Sequence, residues 1–258
     1  MKPTKIAILE EAQRCLLCHD APCTKGCPAK SDPASFIRSI RFQNLHGGAK
    51  QALQNNPLGS ICATLCTSEK YCEKLCIRGK IDHPIHIAAL HAFISHQAHL
   101  LGFSLERRRA PNHLCAAVLG TNIAAISAAI ELALDGVQAT IFSIEPLWST
   151  DVLKKLTIQK NDREILNDSM QTLAELNIHV LPMEEARAQI NSHALKKFNA
   201  LIVTSKEVWH EFSIPENMPG IFMTGDLVSG PNDAAFSIRK GRMAAAHTLK
   251  FMEEKENA

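Results

Sequence analysis

Eight of the nine cysteines in this 258-residue chain lie between Cys15 and Cys76, and only Cys115 lies beyond them. Such crowding constrains the fold more than any other feature. A chain of this length can bury an ordinary core without disulfide staples, so a disulfide framework explains the clustering poorly. Metal ligation explains it better, because thiolates packed into a short, loop-rich stretch are soft donors in search of a soft acceptor.

The spacing narrows the metal. Cys15, Cys18, Cys23 and Cys27-Pro28 form a C-x2-C-x4-C-x3-C-P run, followed by Cys62, Cys66, Cys72 and Cys76. Bacterial ferredoxins use a related run whose last cysteine, followed by proline, serves a second cluster. Zinc is the alternative, but it favours paired C-x2-C knuckles, and only Cys15 and Cys18 make one. Ligand logic therefore favours iron–sulfur over zinc.

Around the cysteines the pattern is helical. Residues 8–18 read as a short helix, Ser31-Asp32-Pro33 as a cap followed by a helix through Ile40, and Gly47-Gly48 as a break or a loosening of that helix. Asn56-Pro57 opens an element that enters the second cysteine group. Asp82-His83-Pro84 opens a helix over residues 85–101. No strand is expected before residue 105. Five histidines fall from His83 to His99. On its own, His91 reads as a core or boundary histidine on an apolar helix face.

The pattern changes after Glu106-Arg107-Arg108-Arg109, which reads as a solvated linker. Residues 114–119, 123–134 and 138–144 read as strand, helix and strand, the opening of a doubly wound sheet. Further strands are expected at 178–181, 200–204 and 221–223, with helix over most of 151–176 and from about Asn232 or Asp233 to residue 250. At the first strand–helix turn, Gly120-Thr121-Asn122-Ile123-Ala124-Ala125 occupies the place of G-x-G-x-x-G/A. Gly120 and Ala125 satisfy that motif, whereas Asn122 replaces its second glycine. Ser143 stands where an acid usually meets the ribose. The motif by itself fits dinucleotide binding and a structural unit that has lost its ligand equally well.

Beyond spacing, the stretches Glu11–Cys23, Cys27-Pro28-Ala29, Phe36–Ile40 and Asn56–Cys62, with Cys66, Cys72 and Cys76, resemble a known module. It is the electron-input module of the dihydropyrimidine dehydrogenase and glutamate synthase small-subunit family. The resemblance implies two [4Fe-4S] clusters laced across both cysteine groups. Cys15, Cys18, Cys23 and Cys76 would hold one; Cys27, Cys66, Cys72 and a non-cysteine ligand would hold the other. The position matching that ligand is His91, while Cys62 matches a family cysteine that is not a ligand. A weaker resemblance runs through an FAD-binding fold, in which Gly120, Thr121, Asn122, Ala125, Ser143, Gly225, Asp226 and Pro231 would contact the flavin. Family members carry a nicotinamide domain inserted inside that fold. Between Ser143 and Gly225 no second glycine-rich strand–turn–helix occurs, so that domain is expected to be missing.

The sequence thus predicts an α+β multidomain protein. Residues 1–105 form a helical two-cluster domain and residues 106–258 a reduced, FAD-binding-like (Rossmann-like) α/β domain. The formal net charge of +2 gives no reason to expect nucleic acid or a membrane surface as partner. No apolar run reaches the ~20 residues of a membrane span, and the first residues do not resemble a signal peptide. A cytoplasmic electron-transfer subunit serving a larger redox subunit is the leading expectation, with a structural or regulatory subunit as the alternative. No Ser–His–Asp set or active cysteine pair is present, so no catalytic residue is assigned.

Overall fold

The computed structural model describes residues 4–143, 162–189, 197–212, 218–228 and 233–257. The chain divides into two compact units. One comprises Met1–Leu105 with the short stretches Asn167–Ser169 and Asp233–Ala235; the other comprises Glu106–Leu166, Met170–Asn232 and Phe236–Ala258.

The first unit contains helices α1 (Lys5–Gln13), α2 (Pro22–Lys25), α3 (Pro33–Arg41), α4 (Leu45–Asn55), α5 (Gly59–Leu65) and α6 (Ile87–Leu100). No strand is assigned among its described residues, as expected. Helix α1 starts earlier than the sequence suggests because the Thr4 hydroxyl accepts from the Ala7 N–H at 3.2 Å. Asp32 caps α3 as expected, accepting from the Ser35 N–H at 3.2 Å with Pro33 at the first helical position. Gly47-Gly48 does not break a helix. The break comes earlier, at Phe42 and left-handed Gln43, after which Asn44 caps α4 through the Gly47 N–H. A side chain at residue 48 would fall 2.5 Å from Ser39 Cβ, so glycine there lets α3 and α4 approach. Ile8, Ala12, Phe36, Ile37, Ile40, Leu53, Ile61, Leu90 and Ile94 fill the core between these helices.

The second unit is one parallel sheet flanked by helices. Its strands are β1 (Cys115–Leu119), β2 (Gln138–Ser143), β3 (His179–Pro182), β4 (Ala200–Val203) and β5 (Ile221–Met223). They lie in the order β3-β2-β1-β4-β5. Val118 pairs with Ile141 on one side and Ile202 on the other, so β1 is central and its apolar run is buried on both faces. The helices are α7 (Ile123–Leu134), α8 (Asp162–Glu175), α9 (Met183–Gln189), α10 (Lys206–Glu211) and α11 (Ala234–Glu256). Every residue of α7 except Glu131 is buried. Every described strand between Ser143 and Gly225 belongs to this one sheet.

Three arginines expected to be a solvated linker are bonded into this unit instead. Arg107 donates to the carbonyls of Ala133 and Leu176, Arg108 pairs with Asp135 and Glu131, and Arg109 pairs with Glu253. Cationic side chains at the end of α7 complement the negative end of its dipole. The charge run reads as solvent-facing in sequence because the carboxylates it meets are distant in the chain. No described helix is long and apolar enough to cross a membrane.

Candidate metal centre

Sequence separation keeps Cys76 far from Cys15, and a knot of charged side chains closes that distance. Arg14 donates to both oxygens of Glu11 at 2.7 Å, to Asp82 at 3.0 Å and to the His83 carbonyl at 2.6 Å. Arg78 pairs with Asp82 and reaches back to the Arg14 carbonyl. Glu11 also accepts from the His86 N–H at 2.8 Å. Burial alone would raise the Glu11 carboxyl, but that N–H and the Arg14 guanidinium outweigh it and hold it below its ordinary value. Asp82, read from sequence as a helix cap, is used in this knot. Helix α6 starts only at Ile87, and Glu73 takes up its first turn by accepting from the Ala88 N–H at 3.0 Å.

The thiols sort into two electrostatic neighbourhoods. Burial raises the Cys15 thiol, and Cys76 and Cys18 add to the rise. Cys23 is pushed up to about 11 by burial, with Cys15 and Cys76 as its thiol neighbours. Separately, burial pushes Cys66 up to about 12, with Cys27 among the charges that add to it. Burial also raises Cys72, and there Cys27 and Cys66 contribute. The chain therefore brings Cys15, Cys18, Cys23 and Cys76 together, and Cys27, Cys66 and Cys72 together. Cys62 is buried within α5.

Backbone N–H groups are aimed at several of these sulfurs. Leu17, held at a left-handed φ of 52°, donates to Cys15, and Ile85 donates to Cys76 at 3.5 Å. Thr24 donates to Cys23 and Glu73 to Cys72. Such bonds stabilise thiolate over thiol and tune a bound centre. Among the described residues, no three His, Cys, Asp or Glu side chains are arranged to hold a single ion. A cluster of four irons needs its thiolates spread around a cube instead.

His91 lies on α6, 7% exposed, with its ring stacked on Phe36 at 4.9 Å and 9° from parallel. Burial lowers it to about 4, so the imidazole is neutral at pH 7, the form that binds metal. A Cβ on Gly59 would fall 3.1 Å from His91 Nε2 and 2.3 Å from Ser95 Oγ. The missing side chain at residue 59 is what lets α5 approach the imidazole. Ser95, one turn beyond His91, keeps a buried hydroxyl with no hydrogen-bond partner among the described residues.

Arg14, Arg78, Glu73 and Gly59 carry no ligand signal in sequence, yet they set the positions of the residues that do. Arg14→Ala removes the four bonds described above and should cost about 2 kcal/mol, since each bond involves a charged donor at a partly exposed site. The expected result is a lower melting temperature and faster loss in air of the visible absorption that depends on Cys15 and Cys76. Equal loss of all the visible absorption would show that the knot does not act on that set.

In the second unit, Gly120, Thr121, Asn122 and Ala125 occupy the β1–α7 junction. Ser143 ends β2, buried and in register with Pro182. Gly225 and Asp226 form a tight turn after β5. Pro231 lies outside the described residues. The structure brings Asn122 and Gly225 into contact beside Thr204, and Ser143 remains on the neighbouring strand.

Residues 2–102 match the protein family described as dihydropyrimidine dehydrogenase domain II, 4Fe-4S cluster. The PreT subunit of NAD-dependent dihydropyrimidine dehydrogenase from Salmonella typhimurium is 32% identical over 202 residues, covering 78% of this chain and 49% of that protein. PreT from Escherichia coli K12 is 39% identical over 142 residues, covering 55% of this chain and 34% of that protein. The chain spans about half the length of the curated relatives it matches.

Proposed function

We propose that this chain, which belongs to the iron–sulfur family of dihydropyrimidine dehydrogenase domain II, is the electron-transfer subunit of an oxidoreductase complex. Two [4Fe-4S] clusters would be held, one by Cys15, Cys18, Cys23 and Cys76, the other by Cys27, Cys66, Cys72 and His91. The observation that carries this reading is the sorting of seven cysteines into two groups of close neighbours, each largely withdrawn from water. Burial and the neighbouring thiols favour the neutral S–H form of these cysteines, and a bound cationic cluster would supply the positive charge that holds them as thiolates. When bound, the clusters supply one-electron transfer.

The protein's own residues do the rest. Phe36 and the α5–α6 contact keep water from the His91 side. The N–H groups of Leu17, Thr24, Glu73 and Ile85 stabilise negative charge on sulfur. Cys76 lines one surface cleft and Cys18 another, whereas Cys27 and Cys72 are buried. These two clefts support the set containing Cys76 as the one that would exchange electrons with a partner. The PreT relatives are named as subunits of a dihydropyrimidine dehydrogenase, and by analogy the partner would be another, larger redox subunit of such a complex.

The test is rapid mixing of dithionite-reduced protein with its co-purifying partner subunit under argon. Return of the visible absorption within seconds is expected. Failure to reoxidise would instead favour a structural or regulatory subunit that docks without passing electrons. The contact between Asn122 and Gly225 is the observation that keeps this second reading in play.

A further inference from the structure

The two halves of the crevice that resembles a flavin site are bonded to each other. Thr204, just past the end of β4, is central to this. Its carbonyl oxygen accepts from Asn122 Nδ2 at 2.9 Å and from the Asp226 N–H at 3.1 Å. Its hydroxyl donates to the Leu119 carbonyl at 3.0 Å. Asn122 is used at both ends, because its Oδ1 accepts from the Ala125 N–H at 3.0 Å and caps α7. Lys240, only 9% exposed, donates to the carbonyls of Gly225 at 3.2 Å and Val228 at 3.1 Å.

The two glycines that suggest a ligand have an internal reason to be glycine. Gly120 has φ +124°, and a Cβ there would fall 2.1 Å from Thr204 Oγ1. Gly225 has φ +64°, and its Cβ would fall 2.6 Å from the Thr204 carbonyl oxygen and 2.7 Å from Asn122 Nδ2. None of these distances is tolerable for a side chain, so the chain's own close approach requires glycine at both positions.

A bound dinucleotide needs the opposite arrangement. Its pyrophosphate sits in a gap between the first strand–helix turn and the neighbouring strand end, facing N–H groups with no other partner. Here the Asn122 amide stands where the motif's second glycine would leave room. The N–H groups of Ala125 and Asp226 are already donated within the chain. We infer that the second unit has exchanged its dinucleotide crevice for a self-bonded seam joining the ends of β1, β4 and β5, and that it does not hold FAD. This replaces the flavin expectation at Gly120, Asn122, Ala125, Gly225 and Asp226, and it stands independently of the cluster reading.

Two measurements test the seam. Full-length protein, purified without oxygen, is denatured and freed of polypeptide, and flavin fluorescence is read in the supernatant with and without prior incubation in excess FAD. Flavin far below one equivalent per chain is expected in both arms, with no rise in melting temperature on adding FAD. Near-stoichiometric flavin, or a clear upward shift, would overturn the inference. In parallel, Asn122→Asp keeps the acceptor for the Ala125 N–H but sets an oxygen against the Thr204 carbonyl. It should lower the melting temperature by several degrees while leaving the visible iron–sulfur absorption intact. An unchanged melting temperature would show that Asn122 does not hold the halves together and would overturn the seam. Should the variant fail to accumulate, the flavin measurement on the native chain still decides.

Discussion

Cys76→Ser should abolish the same cluster signal as Cys15→Ser and leave the signal that depends on Cys27 and Cys66. Sequence order argues the reverse, because Cys76 closes the second cysteine group and lies only four residues from Cys72. Spatial order wins because the Arg14–Glu11–Asp82–Arg78 knot draws the segment after Cys76 to the end of α1. The thiol neighbours of Cys15 and Cys23 include Cys76, whereas the thiol neighbours of Cys72 are Cys27 and Cys66. Each substitution should reduce bound iron from about eight to about four per chain, as expected when one of two [4Fe-4S] centres is lost. Low-temperature electron paramagnetic resonance of the reduced variants distinguishes the patterns. A Cys76→Ser spectrum matching Cys66→Ser would refute the lacing.

His91→Ala is expected to affect only the other centre. With one iron left without a protein ligand, that cluster should lose iron on exposure to air and give a three-iron signal, while the Cys15 set keeps its own. His91→Cys should retain four irons but shift the potential downward, because thiolate adds negative charge where imidazole adds none. Gly59→Ala should resemble His91→Ala in part. Its new methyl would meet Ser95 and then His91 Nε2 and would push α5 and α6 apart. Spectra of His91→Ala and His91→Cys identical to the native protein in both signals would remove His91 from the site.

Much of this was legible in the residues. The helical first unit follows from capped, strand-free patterning, and the β1–α7–β2 opening follows from one apolar run, one turn and one buried helix. The family expected from the cysteine flanks is the one the comparisons find. What stayed hidden is long-range pairing. Nothing in the string Glu106–Arg109 says that Asp135 and Glu253 await it. Nothing near Asp82 says that Arg14 will take it from the helix it precedes. Gly47-Gly48 read as a break because glycine is costly inside a helix, and Ser39, which makes it necessary, lies on another element. Gly120 and Gly225 misled for a related reason. A glycine kept for a ligand and one kept for Thr204 look the same in sequence, and only the contact partner separates them.

The central proposal is that one helical unit holds two four-iron clusters. Iron and acid-labile sulfide, measured against protein by amino-acid analysis after purification and reconstitution without oxygen, test it most directly. The account predicts about eight irons and eight sulfides per chain, two [4Fe-4S] centres' worth; a reproducible plateau at four or fewer would contradict it.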